Sequence, residues 1–464
     1  MQVALISTYE LGHQPFGLAS PAAFLRAAGA AVTCNDLAVE PLDERAVETA
    51  ALIAFYVPMH TATRLASKVA LRARALNPDA HLCFYGLYAP MNEAFLRRLG
   101  AQTVLGGEFE DGLVSLYRRL AANGNRPARG CQTEPIISLA KQTFVVPDRT
   151  GLPPLSRYAY LDRGNGERRT VGYTEASRGC KHLCRHCPVV PVYGGTFRVV
   201  QRDVVLADIR GQVAAGARHV TFGDPDFFNG VGHALRLVEA LHAEFPEVTY
   251  DATIKVEHLL EHARHLPTLT QTGCLFVTTA VESVDDSVLE RLDKGHTRAD
   301  FIRVAALAKE AGLTLSPTFI PFMPWTSLEG FGDLLGLLAE LDLVDHVAPV
   351  QLAIRLLIPE GSRLLELAEV NDLVEGFDAG ALSYTWKHPD SRVDRLQGAV
   401  CRTVEAGEGA DRREIFRRIW ALAHAARAMP APAPPASADE TPVPRLSEPW
   451  YCCAEPTADQ FARV

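Results

Sequence analysis

The sequence contains no apolar run long enough to cross a bilayer. The apolar stretch at 51–57 has seven residues, whereas a membrane-spanning helix needs about 20. The opening residues, MQVALISTYELGHQPFG, also lack the basic stretch, long apolar run and cleavage site of a signal peptide. We therefore expect a cytoplasmic protein that does not enter a membrane.

Long runs of lysine or arginine are absent as well. The net charge is −9, so the composition argues against broad binding to a nucleic-acid backbone. A nucleic-acid substrate held by a local patch stays open. The 464 residues, 48% of them hydrophobic and 22% charged, are typical of a globular chain with two or three domains, since single cores seldom exceed about 250–300 residues.

Ten cysteines are present, and without an export signal they do not predict a disulfide framework. Two groups are clustered, and clustered cysteines indicate metal or redox chemistry. The isolated ones are expected to be small buried residues. The clusters are Cys180, Cys184 and Cys187, and the adjacent pair Cys452 and Cys453; the isolated cysteines are Cys34, Cys83, Cys131, Cys274 and Cys401.

Residues 1–122 alternate short apolar runs with helical patterns. This alternation of strand and helix patterns predicts an α/β domain, with a Rossmann-like parallel sheet that helices cover on both faces. The predicted strands cover 3–7, 31–34, 51–57, 81–86 and 103–105, and the helices 21–29, 61–76 and 92–99. The proline- and glycine-rich stretch 123–169 is expected to be an ordered crossover segment.

The alternation resumes between 170 and 370 with longer units, which predicts a partial (β/α)6 barrel. Its six strands are expected at 170–173, 219–222, 249–254, 275–280, 313–319 and 350–356. Residues 371–429 form a mixed region that ends in a helix over 414–429. Seven prolines within 430–449 then predict an extended linker to a tail ending at 464.

The motif Ser177-Arg-Gly-Cys180-Lys-His-Leu-Cys184-Arg-His-Cys187-Pro follows the first predicted barrel strand. Thiolates bind iron–sulfur clusters and zinc. Three of them on a four-iron cluster leave one iron free to chelate a small molecule. The alternative is a zinc site with His182 or His186 as its fourth ligand, although no second Cys/His pair is obvious.

Cys-x3-Cys-x2-Cys at the start of such a barrel resembles the radical S-adenosylmethionine (radical SAM) superfamily, and the resemblance covers about 170–370. It implies a [4Fe–4S] cluster on Cys180, Cys184 and Cys187, whose open iron binds the methionine part of S-adenosylmethionine. Reduction would then give a 5′-deoxyadenosyl radical. A reducing partner of the flavodoxin or ferredoxin type is implied as well.

The same resemblance suggests further cofactor contacts. His186 occupies a position that is commonly aromatic in the superfamily and packs near adenine. Gly223 and Asp224 match loosely a glycine-rich acidic segment that receives the cofactor's amino group. The alternative for Asp224 is an ordinary turn that starts a helix.

Glu282 and Ser283 are similar to a Glu-Ser element that approaches the ribose or the methionine carboxylate, although helix capping by Ser283 or Asp285 is an equal alternative. Arg355 lies in an apolar segment, where a charge is costly unless it is paired. It could clamp the cofactor's carboxylate or form a structural ion pair.

The N-terminal domain resembles the cobalamin-binding domain of cobalamin-dependent radical enzymes, by its position before the barrel and by Gly106-Gly107-Glu108-Phe109-Glu110. The Asp-x-His-x-x-Gly pattern that ligates cobalt in many such domains is absent. His13 is nearby, but its spacing to Gly17 differs. If cobalamin binds, we expect no lower histidine ligand; a degenerate domain without cobalamin is the alternative.

Cys452 and Cys453 lie on the proline-rich tether. A disulfide between neighbouring cysteines is strained and therefore easily reduced, so the pair is a candidate redox dithiol. The alternative is an inert chain end. Cys-Cys-Ala-Glu-Pro at 452–456 resembles the tail of a radical protein family named for this motif, whose relatives carry selenocysteine at the second position.

Three functions follow in order of preference. The first is radical SAM chemistry with cobalamin-assisted methyl or other group transfer to a small molecule or peptide that the sequence does not identify. The second is a cobalamin-independent radical enzyme for redox or rearrangement chemistry. The third is a zinc-binding protein without catalysis.

Overall fold

The N-terminal part of the chain forms a six-stranded parallel sheet. The computed structural model, which describes residues 1–123, 134–407, 409–434, 441–449 and 455–463, orders its strands β2-β1-β3-β4-β5-β6. The strands are β1 (Gln2–Ser7), β2 (Ala31–Asp36), β3 (Leu52–Tyr56), β4 (His81–Tyr85), β5 (Thr103–Gly107) and β6 (Ile137–Ser138). The Rossmann-like α/β prediction is confirmed, because apolar clusters cover both faces of this sheet.

The helices of this region connect the strands and cover the two faces. They are α1 (Phe16–Ala27), α2 (Glu44–Thr49), α3 (His60–Leu76), α4 (Tyr88–Met91), α5 (Glu93–Arg98) and α6 (Glu110–Asn123). The helix predicted to start at Pro21 begins five residues earlier, with Pro21 in its interior. Proline lacks the N–H that would bond the carbonyl four residues back. That carbonyl, of Gly17, instead accepts a 2.8 Å hydrogen bond from the Tyr85 hydroxyl.

A second sheet of seven strands, ordered β14-β13-β12-β11-β8-β7-β17, forms the curled half-barrel. Five of its strands are parallel, while β7 and β17 pair antiparallel at one edge. The strands up to β14 are β7 (Tyr160–Asp162), β8 (Arg168–Thr174), β11 (His219–Phe222), β12 (Thr249–Thr253), β13 (Cys274–Glu282) and β14 (Thr314–Phe319), with the separate hairpin β9 (Ser177–Gly179) and β10 (Phe197–Val199).

Helices pack against the outer face of the half-barrel, where a large apolar cluster forms the core. They are α8 (Arg202–Ala214), α9 (Val231–Glu244), α10 (Val256–Glu261), α11 (Leu266–Gln271), α13 (Arg298–Glu310) and α14 (Leu328–Glu340). Two further helices pack in smaller clusters, α7 (Val190–Tyr193) beside Met91 and α12 (Asp286–Arg291) beside Ile320. The partial barrel is therefore confirmed as an architecture.

The sixth predicted strand, at 350–356, differs from the prediction. A short 3-10 helix covers Pro349–Leu352, and only an isolated bridge joins Arg355 to Phe322. Its apolar residues Leu352, Ile354 and Leu356 are buried, so the hydrophobic pattern predicted burial correctly. Periodicity alone does not distinguish a buried strand from another buried segment.

The remaining elements are α15 (Ala368–Leu373), β15 (Val374–Asp378), β16 (Ser383–Trp386), α16 (Ser391–Ala406), α17 (Arg412–Ala426), β17 (Arg445–Leu446) and α18 (Ala458–Arg463). The tail strand β17 pairs with β7 and so extends the half-barrel sheet. Cys452, Cys453 and Cys131 lie outside the described residues. Among the described helices, none has both the length and the apolar composition needed to cross a membrane.

A buried ion cluster joins the two sheets. The guanidinium of Arg178, on β9, donates to both carboxylate oxygens of Glu110 at 2.7 and 2.9 Å. Its Nε donates to Glu175 at 2.6 Å, and Glu108 lies 3.6 Å away. Glu108 and Glu110 belong to the first α/β unit, while Glu175 and Arg178 belong to the barrel.

Aromatic rings enclose this cluster. The Arg178 guanidinium lies 5.0–5.6 Å from the ring centroids of Phe16, Phe109 and Phe144, which exclude water and add cation–π attraction. Burial opposes ionisation of Glu110, but the adjacent guanidinium lowers its pKa below the ordinary value. The pKa of Glu108 is raised by burial to about 7, because one cation cannot compensate several buried acids.

Replacing Arg178 by Met would leave buried carboxylates without their cation. We expect the free energy of unfolding to fall by about 3–5 kcal/mol, the usual cost of breaking a buried pair from one side. Urea unfolding of the metal-free protein measures this. The matched control is Arg163→Met, whose pair with Glu167 is 35% and 41% exposed and should be worth less than about 1 kcal/mol. Equal stability of the two variants would contradict the importance of the cluster.

Candidate active site

The carboxyl ends of the two parallel sheets face a common cavity of about 330 Å³. On one side, its wall is formed by residues just beyond β1, β3, β4 and β5; on the other, by the ends of the barrel strands and by the cysteine loop. Loops at the carboxyl ends of parallel strands are the usual ligand sites of α/β proteins. The first wall contains Glu10, Leu11, Pro58, Met59, Leu87, Tyr88 and Phe109, and the barrel wall contains Thr221, Gly223, Asp224, Asp251, Thr253, Thr278, Glu282 and Thr318.

The three clustered cysteines lie on the loop between β9 and β10 and all line this cavity. The antiparallel pairing of Gly179 with Phe197 closes the base of the loop. The N–H of Cys187 donates to the carbonyl of Cys184 at 3.2 Å, which turns the loop back on itself. The structure thus brings Cys180, Cys184 and Cys187 together.

Burial raises the pKa of the Cys180 thiol to about 11 and that of Cys187 to about 12. Both sulfurs therefore carry protons in the metal-free chain. A bound metal centre supplies the positive charge that favours the thiolate form, so this donor set fits a thiophilic cluster.

A histidine cluster borders Cys180. Donor atoms of Cys180, His182 and Asp226 lie within 4.8 Å of one another. The Nε2 atoms of His182 and His258 are 3.2 Å apart, and His258 Nδ1 lies 2.6 Å from the Asp226 carboxylate. These groups could also hold zinc, so the metal content of the protein has to be measured to distinguish zinc from iron.

His186 and Glu282, which the sequence suggested separately, meet at the cavity. Nε2 of His186 lies 3.1 Å from the Glu282 carboxylate, and Lys294 Nζ lies 3.6 Å from the same oxygen. Burial opposes ionisation of Glu282, but Lys294 and His186 together lower its pKa to about 2. Glu282 also has a left-handed φ of 70°, a strained conformation that is typical of functional positions.

Gly223 and Asp224 follow β11 and line the same cavity. A Cβ on Gly223 would lie 2.0 Å from the Tyr173 hydroxyl oxygen, so only glycine permits this contact. The Asp224 carboxylate accepts from the Ala176 N–H at 2.9 Å and from the Ser177 hydroxyl. Burial raises its pKa to about 7.

Ser283 and Arg355 are not among the residues that line the cavity. The Ser283 hydroxyl accepts from the N–H of Asp285 at 3.1 Å, a turn beside α12. Arg355 donates to Asp394 at 2.6 Å and stacks 3.6 Å from the Trp386 ring centroid. Asp285 caps α12, so the described contacts match the predicted helix cap and, for Arg355, the predicted ion pair.

Several residues of the site were not found from the sequence. Asp251 is one of them, because an isolated Asp in a strand has no motif. His13, considered only as a cobalt ligand, lies in the cavity wall and stacks on Tyr173 with 4.6 Å between ring centroids. Burial lowers its pKa to about 4, so it is a neutral imidazole.

The Gly-Glu segment at 106–110 has a structural role in the chain. Gly107 has a φ of 70°, and a Cβ there would lie 2.2 Å from the Ser138 carbonyl oxygen. This conformation directs Glu108 and Glu110 towards Arg178. The segment therefore connects the first sheet to the loop that carries the cysteines.

The described parts of the tail contact the first α/β unit on both sides of the cysteine pair, and the part before the pair lines the cavity. Leu446 and Glu448 line the cavity, and Glu448 accepts a 2.6 Å hydrogen bond from the Tyr9 hydroxyl. Beyond the pair, Glu455 forms an ion pair with Arg64 and lies 3.4 Å from His60. Cys452 and Cys453 themselves belong to the part of the chain that is not described.

Comparisons with known proteins show similarity in sequence and in fold. Residues 174–338, which include most of the half-barrel, match the model of the Radical SAM superfamily. This superfamily uses a [4Fe–4S] cluster and S-adenosylmethionine, and its enzymes generally need a reductant.

Among curated proteins, tRNA-2-methylthio-N(6)-dimethylallyladenosine synthase of Desulfosudis oleivorans is 27% identical over 187 residues, covering 38% of each chain. Hopanoid C-3 methylase of Methylococcus capsulatus is 22% identical over 151 residues, covering 32% of this chain and 29% of the methylase. The chain thus matches only about two fifths or less of the length of these relatives.

Two solved structures share the fold over most of the chain. The cobalamin-dependent S-adenosylmethionine radical enzyme OxsB, with aqua-cobalamin and S-adenosylmethionine bound, is similar at a TM-score of 0.65, with 14% identity, 88% of this chain covered and 66% of OxsB. The radical S-adenosylmethionine methyltransferase TsrM from Kitasatospora setae, with tryptophan substrate and a SAM analogue bound, is similar at a TM-score of 0.61. Its identity is 16%, and the match covers 80% of this chain and 76% of TsrM. At these identities the similarity concerns the fold.

Proposed function

We propose that this chain is a cobalamin-dependent radical SAM enzyme that transfers a methyl or other group to an unactivated carbon. The observation that carries the proposal is the shared cavity, which the carboxyl edges of both sheets line together with the cysteine loop. The proposal keeps the division suggested by the sequence, with a cobalamin-binding unit to 122, a radical SAM barrel over 170–370 and a thiol tail.

Cys180, Cys184 and Cys187 would hold the [4Fe–4S] cluster. When bound, the cluster supplies the electron for reductive cleavage of S-adenosylmethionine. Asp224 and the backbone at Gly223 are suited to accept from the cofactor's ammonium. Glu282, kept ionised by Lys294 and His186, is suited to accept from its hydroxyl groups.

The outer side of the cysteine loop suits a reducing partner. Leu183 is 45% exposed, although it lies between two of the predicted ligands, and the neighbouring Lys181 is exposed as well. An exposed apolar side chain beside a cation is suited to a small acidic electron carrier. We propose a carrier of the flavodoxin or ferredoxin type.

Anaerobic reconstitution tests the cluster. We expect about four iron and four sulfide per chain, with absorbance near 410 nm, and reductive cleavage of S-adenosylmethionine. Cys184→Ser should lose the iron, because two thiolates cannot retain the cluster. The control is Cys274→Ser, which changes a buried cysteine on β13. This variant should retain the iron. Zinc bound without iron, in wild-type protein reconstituted with both metals, would support the zinc-binding alternative instead.

The corrinoid would bind against the first sheet. Residues beyond β1, β3, β4 and β5 form one wall of the cavity, which fits a ligand at the carboxyl edge of a parallel sheet. When bound, the corrinoid supplies a cobalt that carries the transferred group. The neutral His13 packs on Tyr173, so we expect it to form part of the cavity wall rather than to ligate cobalt.

Hydroxocobalamin should remain bound to the protein after gel filtration, in one equivalent per chain. After reduction to the paramagnetic cobalt(II) form, the electron paramagnetic resonance spectrum should show no nitrogen splitting from an axial protein ligand. His13→Phe should give the same spectrum. No retained corrinoid would favour the cobalamin-independent alternative, and splitting that disappears in His13→Phe would contradict the absence of a histidine ligand.

Cys452 and Cys453 are proposed as a redox dithiol that serves the same cavity, in a chain that resembles the Cys-Cys-Ala-Glu-Pro family. Glu448 lines the cavity four residues before the pair, and Glu455 contacts α3 two residues after it. These contacts of the described residues on both sides of the pair support the proposal.

Mild oxidation with glutathione disulfide should join the two cysteines, because neighbouring thiols form a strained and reversible bond. Peptide mass spectrometry of the tail should show the loss of two hydrogens, restored by dithiothreitol. The Cys453→Ser variant should not show this loss of two hydrogens. A host that carries the variant should no longer make the enzyme's product. Normal product formation with Cys453→Ser would exclude the tail from the reaction.

A further inference from the structure

Asp251 lies in the middle of its strand, two residues before the carboxyl end, so it is on the floor of the cavity rather than in the loops that follow the strands. It is on β12, only 4% of its surface is exposed, and it lines the cavity. Two donors hold the same carboxylate oxygen. Oδ1 accepts from the Thr221 hydroxyl at 2.6 Å and lies 2.9 Å from Nε2 of His219.

His219 is itself fixed in position. Its Nδ1 lies 2.8 Å from the Thr249 hydroxyl, and its side chain is fully buried. Because a carboxylate only accepts hydrogen bonds, His219 donates from Nε2. This arrangement orients the carboxylate of Asp251 and leaves Oδ2 without a donor among the described residues.

The positive charges around the cavity are already paired. Arg178 is bound by Glu110, Lys255 lies 2.9 Å from Glu257, and Lys294 lies beside Glu282. The imidazole of His13, which interacts electrostatically with Asp251, is neutral because burial lowers its pKa to about 4. No lysine or arginine that lines the cavity is therefore paired with Asp251, and its ring partner is His219.

A second acid faces the cavity from the opposite wall. Glu10, just beyond β1, is 5% exposed and lines the cavity. Its Oε2 is buried and has no hydrogen-bond partner among the described residues. Burial raises the pKa of Glu10 well above its ordinary value, which favours the uncharged carboxyl. A buried polar atom without a partner costs about 1–3 kcal/mol, so its retention in the cavity wall indicates a ligand that hydrogen-bonds to it.

We infer that the substrate carries a basic nitrogen, an ammonium or amidinium group, which Asp251 binds through Oδ2 on the floor of the half-barrel. Glu10 provides a further hydrogen-bonding group on the facing wall. A carboxylate or phosphate substrate would be repelled by Asp251, and a substrate without a donor would leave Oδ2 of Asp251 without a partner. This inference rests on the proposed function, because it specifies the substrate class of the same cavity.

Three probes of equal length test the inference on the reconstituted full-length protein. They are hexylamine, hexanol and hexanoate, and ligand-observed nuclear magnetic resonance titration gives their dissociation constants. We expect hexylamine to bind about tenfold or more tightly than hexanol, since a desolvated charge pair contributes strongly to affinity. Hexanoate should bind most weakly.

Asp251→Asn keeps the size of the side chain and removes its charge. Hexylamine should then bind about tenfold more weakly, while hexanol changes little. Asp203→Asn is the control, because that side chain is 89% exposed on α8, and it should bind hexylamine as the wild type does. If Asp251→Asn fails to fold, Thr221→Val, which removes one of the two groups that orient the carboxylate, should reduce the preference for hexylamine over hexanol.

Equal affinities for hexylamine and hexanol in the wild-type protein would overturn the inference. So would an amine preference that both Asp251→Asn and Thr221→Val retain. Loss of hexylamine binding after loading with hydroxocobalamin would assign Asp251 to the corrinoid and also overturn it. Cleavage of S-adenosylmethionine is measured separately, so an inactive protein that still selects the amine would refute the proposed function and leave the basic-nitrogen site standing.

Discussion

The buried contact between Arg178 and Glu110 is the constraint on which the site depends. Arg178 is two residues before Cys180, and its guanidinium is bound at both ends by carboxylates of the first α/β unit and the barrel. A bidentate pair fixes orientation as well as distance. The cysteine loop is therefore positioned relative to the first sheet, and not only relative to the barrel that carries it.

That positioning explains why a single cavity serves both sheets. Parallel strands direct their carboxyl ends to one edge, so two such sheets share a ligand space only if their edges face each other. The contact of Glu110 with Arg178 connects the end of β5 to the start of the cysteine loop. Gly107 turns the chain at this point with a backbone that other residues rarely adopt.

Local patterns were readable from the sequence, whereas contacts between distant residues were not. The strand at 219–222 coincides with β11, and the cysteine spacing indicated a metal loop, because both depend on neighbouring residues. The segment at 350–356 is buried as its apolar pattern implied but does not form a strand. The partners of Arg355 and the cavity position of Asp251 depend on residues about 30–40 positions away, and a single sequence carries no signal for such pairs.

The distribution of charge divides the cavity into two regions. Near the cysteine loop, Glu282 is matched by Lys294 and His186, so the low dielectric there does not suppress its ionisation. On the floor, Asp251 is oriented by a hydroxyl and an imidazole, and on the opposite wall Glu10 has a buried oxygen with no described partner. An interior does not retain unmatched polar groups without cost. These two acids are therefore better explained as binding groups than as parts of the core, whereas the acid near the loop is balanced by its own neighbours.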